Sequence, residues 1–295
     1  MADDWLDRAA ARRAFERATA DDALAREVGR RLIERLQYIK LEPQRVLDAA
    51  CGDTTARAKL RERYPTAQIY AFDWSPAALR RHALQRSLIE RAKGLFKPAR
   101  EHVVAADAVA LPFADRSFDL VWSNLGLAWA VDPQQWLREW HRVLKVDGLL
   151  MFTTYGPDTL KTVREAFAAV DQTPHVHPFL DMHDLGDALV GCRFADPVMD
   201  MEMLTLTYAD VMGLVNELRV TGYRNAHQGR RRALTGRNRW VEVMQRLEAG
   251  RTAGRIAADF EIVYGHAWKA APREMSDGRQ IIHFEPHAGA PTRTR

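Results

Sequence analysis

The sequence predicts an α/β fold: a parallel sheet with helices on both faces, and a cap or insertion toward the C-terminus. Two observations carry this. Short apolar runs ("RVLDAA", "QIYAFDW", "EHVVAAD", "FDLVWSN", "DGLLMFTTY") alternate with segments of helical periodicity over residues 45–155. The links between them are short, as in strand–helix–strand units. After Tyr155 the rhythm changes to helices, loops and two further strands.

The elements follow in order. Asp7 to Leu36 reads as helical, with apolar residues at helical spacing and no proline. Residues 55–63 read as a helix that Tyr64-Pro65 ends. Ser75-Pro76 offers a helix start, with serine as N-cap and proline at the first position. Asp132-Pro133 opens another helix that runs to Leu144. Beyond Tyr155, "GPDTLKTVREAFAAV" reads as a helix, "DQTPHVHPFLDMHDLGDALVGC" as loops with a short helix, and "MEMLTLTY" as a strand. "ADVMGLVNELRVTG" is helical, a helix runs from Trp240 to about Glu248, and "AADFEIVYGHAWKA" is a final strand. The division read from this is a leading helical segment (1–40), a sheet core (41–160), a cap with the final strands (161–286) and a disordered tail (287–295).

Composition narrows the class. The chain has 295 residues, 47% hydrophobic and 28% charged, ordinary for a globular domain that needs no staples. Cys51 and Cys192 fit no metal spacing, so no metal and a reduced, cytoplasmic setting are expected. The charged N-terminus is not a secretory signal, and no run approaches the ~18 apolar residues of a membrane span. A net charge of +4 does not by itself imply nucleic acid.

Ligands of an open parallel sheet bind beyond the carboxyl ends of its strands. Strand one ends in Asp48 and the turn Ala49-Ala50-Cys51-Gly52-Asp53. Strand two ends in Asp73-Trp74, strand three in Asp107-Ala108, and strand four in Ser123-Asn124. Small residues in the first turn let backbone approach a ligand, and Gly52 permits a positive φ. Asp73 stands 25 positions after Asp48, near the offset at which a carboxylate accepts from both ribose hydroxyls. Trp74 can pack on an adenine face. Asp107 can accept from an exocyclic amine while the Ala108 amide donates to the ring. A nucleoside-type site is expected.

With these residues on the page, the chain resembles class I S-adenosylmethionine-dependent methyltransferases, whose sheet is Rossmann-like. "VLDAACGD", "YAFDWSPAALRRH", "VVAADAVALPFADRSFDLVWSN" and "WLREWHRVLKVDGLLMFTTYGPDTL" carry the resemblance. The first motif of that family reads Asp-x-Gly-x-Gly-x-Gly; here its glycine positions hold Ala50, Gly52 and Thr54. Alanine fits if its φ stays negative, and Gly52, the position most in need of a positive φ, is kept, so a working but modified turn is expected. "GPDTL", "HVHPFLDMHDLGDALVGCRFADPVMDMEMLTLTY" and "FEIVYGHAWK" look like the malonyl-[acyl carrier protein] O-methyltransferases of biotin synthesis. "RRAFERATADD" resembles the leading helix of that family, with aspartate where a tyrosine is expected near residues 21–22. A related branch comprises complex I assembly factors that hydroxylate an arginine, and a non-catalytic scaffold is a third alternative.

The resemblance implies S-adenosyl-L-methionine as cofactor, at Asp48, Ala50, Gly52, Asp73, Trp74, Asp107, Ala108 and Asn124. It implies methyl transfer to the free carboxylate of a malonyl group on acyl carrier protein. A cation from the cap would orient that carboxylate; the candidates are Arg219, Arg224, His175 and His177, and Trp129 would line the methyl path. The stretch "YRNAHQGRRRALTGRNRW" has six arginines and no acid. Arg230, Arg231, Arg232 and Arg237 in it are expected to steer an acidic carrier protein. Neither nucleic acid nor membrane is an expected partner.

Overall fold

The computed structural model describes residues 5–18, 22–50, 54–75, 79 and 101–271. The described strands form one seven-stranded sheet in the order β3-β2-β1-β4-β5-β7-β6. β1 (Arg45–Ala49), β2 (Gln68–Asp73), β3 (Glu101–Ala105), β4 (Phe118–Ser123) and β5 (Leu144–Tyr155) run parallel. β7 (Ile256–Trp268) lies antiparallel between β5 and β6 (Ala195–Tyr208). The five expected parallel strands are all present, and the final strand completes the sheet. "MEMLTLTY" is the end of a strand of 14 residues.

The leading helical run is divided. α1 (Arg8–Glu16) and α2 (Ala23–Arg35) are separate helices, because Asp7 and Asp22 each N-cap one. The Asp7 carboxylate accepts from the Ala10 amide and that of Asp22 from the Ala25 amide, both at 2.9 Å. The first helix ends at Glu16 with Arg17 as its C-cap, and Asp22, with β-region backbone, starts the second. α3 (Thr54–Arg63) follows β1, and α4 (Pro133–Val143) starts with the Asp132 cap and proline in its first turn, as expected. α5 (Lys161–Ala168), α6 (Met182–Gly191), α7 (Val211–Val220) and α8 (Arg237–Ala249) complete the described helices. The Ser75-Pro76 helix start and the tail at 287–295 fall on or beyond residues outside the described ones.

Two apolar layers flank the sheet. One gathers Leu32, Leu60, Ile69, Leu120 and Trp122; the other gathers Leu47, Phe118, Val121, Leu137 and Trp140. Strands buried on both faces explain the continuous apolar runs. Among the described residues no helix is long and apolar enough to cross a membrane.

The two most distinctive motifs of the second half meet. Gly156, Asp158 and Thr159 of "GPDTL" close on Glu261 of "FEIVYGHAWK". The Gly156 amide donates to the Glu261 carbonyl at 2.9 Å, and the Asp158 amide donates to its carboxylate at 2.7 Å. Gly156 has to be glycine, because a Cβ there would collide with the Glu261 carboxylate. Lys269, at the end of the second motif, donates from Nζ to the His141 and Leu144 carbonyls at 2.6 and 2.8 Å and so caps α4.

Candidate active site

The carboxyl ends of the strands open into a cavity of about 370 Å³ lined by Trp74, Ala105, Ala106, Asp107, Ala108 and Trp129, with Leu6 and Arg8 above them. Asp73, only 6% exposed, ends β2 beside it, and its Oδ1 accepts from the Ser75 amide at 2.7 Å. Asp107 meets Arg8 at 3.1 Å, a solvent-exposed pair across the cavity mouth. Small residues on β3, an aromatic wall and two carboxylates at neighbouring strand ends fit a nucleoside.

The first turn departs from expectation. Ala50 has φ +58°, in the left-handed region, so the negative φ under which an alanine fits without penalty is not met. The turn geometry outweighs the side-chain penalty of ~1–2 kcal/mol. The room comes from the short helical turn beyond β4: a Cβ on Gly126 would stand 2.5 Å from that of Ala50. Leu125 and Leu160 also have positive φ, at +58° and +52°, just beyond β4 and β5. Such backbone is held by its surroundings and gathers at binding sites. Gly52 lies outside the described residues.

Asp48 and Asn124 are set into the frame. Asp48 meets Arg57 of α3 at 3.1 Å, and both side chains are almost fully buried. The Asn124 amide donates to the Ala25 carbonyl at 2.8 Å and accepts from the Thr153 hydroxyl at 2.9 Å. It therefore ties β4 to α2 and β5.

A second, smaller cavity of about 70 Å³ lies beyond β5 and is lined by Tyr155, His175, Val176, His177, Phe179, Tyr223, Arg224 and Phe260, among others. Trp129, from the first cavity, stacks on Tyr223 at 6.2 Å and meets His177 edge-on at 5.1 Å. It stands between the two cavities. Burial, with the Asp22 carboxylate nearby, pushes the Tyr155 and Tyr223 hydroxyls well above the ordinary tyrosine range. Both remain protonated donors.

The four candidate cations separate. His175 stacks on Phe167 at 3.8 Å, and its Nε2 lies 3.0 Å from Asp171, which makes it part of the cap's own packing. Burial, then the nearby His227, holds the His177 pKa at about 4, so its ring is neutral near pH 7 and not a cation. Arg219 is exposed on the last turn of α7 and does not line this cavity. Arg224 lies at the rim, exposed, and its guanidinium has no ion-pair partner among the described residues. Arg230 is spent on Asp7 at 2.8 Å; Arg231 is half-buried, while Arg232 and Arg237 are exposed.

Sequence reasoning did not find Arg57, Asp22, Tyr155 and Tyr223. Asp22 was visible only as a departure at an expected tyrosine. Tyr155 ends a strand like the residues that were found. Tyr223 and Arg57 carry no local signal, since only packing brings them in. The same holds for the leading segment: the Asp7 amide donates to the Ala226 carbonyl at 2.8 Å, and the Gln228 amide to the Trp5 carbonyl at 2.6 Å. The first described residues thus roof the site by pairing with residues 226–228.

The comparisons agree with this geometry. Residues 47–152 match the family model described as "Methyltransferase domain". The fold is similar to that of the YcgJ protein from Bacillus subtilis, with TM-score 0.57 and 17% identity over 83% of this chain and 99% of that one. The malonyl-[acyl-carrier protein] O-methyltransferase of Gallionella capsiferriformans is 46% identical over 281 residues, covering 94% of this chain and 96% of that one. The enzyme of the same name from Laribacter hongkongensis is 46% identical over 293 residues, covering 97% and 98%. These relatives favour the methyltransferase reading over the hydroxylase and scaffold alternatives. With such likeness over nearly the whole of both chains, the protein is an S-adenosyl-L-methionine-dependent O-methyltransferase and belongs to the malonyl-[acyl-carrier protein] O-methyltransferase family.

Proposed function

We propose that the chain methylates the free carboxylate of a malonyl thioester carried by acyl carrier protein, the reaction that biotin synthesis requires. One observation carries this reading: a small, tyrosine- and aromatic-lined cavity adjoins the larger one across Trp129, with Arg224 at its rim. The small cavity has room for a carboxymethyl group and little more.

When bound, S-adenosylmethionine supplies a methyl group on a positively charged sulfur, so transfer to a carboxylate consumes one positive and one negative charge. A dry enclosure favours such a change, since water would stabilise the separated ions more than the transition state. Phe15, Trp129 and Tyr223 supply that enclosure, with Phe15 edge-on to Trp129 at 4.6 Å. A carboxylate is already ionised near pH 7, so the chain has no proton to remove. Its task is approximation. Asp73 would hold the ribose hydroxyls, with Trp74 and Ala108 against the base and Asp107 accepting its amine. Asp107, whose Oδ2 also meets Arg8, has acceptor sites left for that amine. Arg224 would draw the malonyl carboxylate inward, and Arg232 and Arg237 would meet the acidic carrier.

Mass spectrometry of malonyl carrier protein incubated with enzyme and cofactor tests the reading. A gain of one methyl group, blocked when the malonyl carboxylate is already esterified, is expected. Asp73→Ala should weaken calorimetric cofactor binding by at least about tenfold. No methylation of the malonyl carrier, or unchanged affinity in Asp73→Ala, would overturn the substrate or the ribose assignment respectively.

A further inference from the structure

His177 is a neutral ring whose proton has a fixed position. Its Nε2 lies 2.9 Å from the Ala226 amide and accepts from it. A backbone amide only donates, so Nε2 is bare and the ring proton sits on Nδ1. Nδ1 has no hydrogen-bond partner among the described residues, and it is not among their fully enclosed, unpartnered polar atoms. The ring lines the small cavity and is flanked by Trp5 at 4.9 Å and Trp129 at 5.1 Å. A donor with no acceptor among the described residues, in a cavity sized for a carboxymethyl group, points to an acceptor that arrives with the substrate and displaces water.

We propose that Nδ1–H of His177, as a neutral imidazole, holds the substrate carboxylate facing the methyl group. The inference rests on the carboxylate reading above and names the group that orients it. Neutrality suits the reaction. A cation in this place would pair with the carboxylate and lose that attraction as the negative charge disappears, which stabilises the ground state more than the transition state. A neutral donor loses less, and Arg224 can attract the substrate from the rim without following it to the reacting centre.

The surroundings keep the ring uncharged. From the neighbouring loop comes His227, whose Nδ1 accepts from the Gly229 amide at 2.9 Å and whose pKa is itself lowered by burial. Arg230 lies beyond it, bound to Asp7. His175, two residues away, is turned to Asp171. β5 contributes Tyr155, and the segment after α7 contributes Tyr223 and Arg224. Asp22, at the start of α2, acts on the two tyrosines.

Two substitutions separate the two ring nitrogens. In His177→Gln the side-chain oxygen can still accept from Ala226, but the Nδ1–H donor is gone. In His177→Asn the amide nitrogen stands near the Nδ1 position, but the Ala226 contact is lost. His177→Gln should fold and bind S-adenosylhomocysteine as the parent does, while its KM for malonyl carrier protein rises about ten- to hundredfold. His177→Asn should melt lower yet keep more methyl transfer than His177→Gln. For the parent, kcat/KM should be flat from about pH 5.5 to 8, because the ring stays neutral throughout. Nitrogen NMR should find the ring proton on Nδ1, and that signal should move when malonyl pantetheine is added.

A rate that falls as pH rises through about 6 to 7 would identify a cationic histidine and overturn the inference. So would a parent-like KM in His177→Gln, or a ring proton on Nε2. If the parent methylates other carboxylates but no malonyl thioester, the substrate reading fails alone. The His177→Gln ratio on those carboxylates would still decide the role of the ring.

Discussion

Ala50 and Gly126 face each other across the first turn, and each explains the other. Ala50 takes a left-handed conformation at φ +58°, and a Cβ on Gly126 would come within 2.5 Å of the Ala50 Cβ and 2.7 Å of the Ser123 hydroxyl. The glycine missing from β1's turn is therefore compensated by one beyond β4. Gly126→Ala should destabilise the protein by about 1–3 kcal/mol through overpacking and weaken cofactor binding with it. Ala50→Gly should raise the melting temperature, since it relieves the positive-φ penalty of ~1 kcal/mol. The double variant should recover part of the loss, leaving the Ser123 contact unrelieved. Thermal melts of all three decide this, and strictly additive changes would show that the two positions do not share space.

Glu261 anchors "GPDTL" through its carboxylate and its backbone. Glu261→Ala should cost about 1–3 kcal/mol, because the part-buried Asp158 amide loses its acceptor and the buried Glu261 side chain leaves a gap. Glu261→Gln should cost less, since an amide oxygen still accepts. Urea midpoints of the two variants give the comparison; equal losses would show that the carboxylate's charge, not its acceptor, matters.

Arg57 and Asp48 form a buried ion pair at 3.1 Å. Removing one partner leaves a charge in a poorly solvated place, so Arg57→Leu and Asp48→Leu should each cost roughly 3–5 kcal/mol. Arg57→Leu combined with Asp48→Leu should cost less than the sum of the two single changes. A double-mutant cycle in urea measures the coupling, and a value near zero would mean that other neighbours satisfy each side chain separately.

Acid should unfold the protein partly through two histidines. Burial first, and nearby positive charge second, hold His141 and His177 at about 4 in the folded state. Unfolded histidine titrates near ~6.5. Between these values the unfolded chain binds more protons, so stability rises with pH there. The stability is complete above about 6.5 and is lost as pH falls toward about 4. Urea midpoints measured across that window should fall with pH, and His177→Gln should flatten part of the slope. A slope unchanged in that variant would show that His177 is not buried in the neutral form.

The sequence by itself determined the order of the described strands and helices from Arg45 to Tyr155, because period and capping are local. It also determined the strand ends: Asp73, Trp74, Asp107 and Ala108 gather near one cavity because parallel strands place equivalent ends on one side of a sheet. The motifs of the second half were legible as text, but not as a contact between Gly156 and Glu261, which are more than a hundred residues apart. Only the tertiary structure decided which cation candidates face a cavity. His175 and His177 share one short loop, yet Asp171 takes one and the Ala226 amide fixes the tautomer of the other. Arg230 looked like a free surface charge until Asp7 appeared beside it. Charge and protonation depend on desolvation and on partners brought in from elsewhere in the chain, and no local pattern of residues records either.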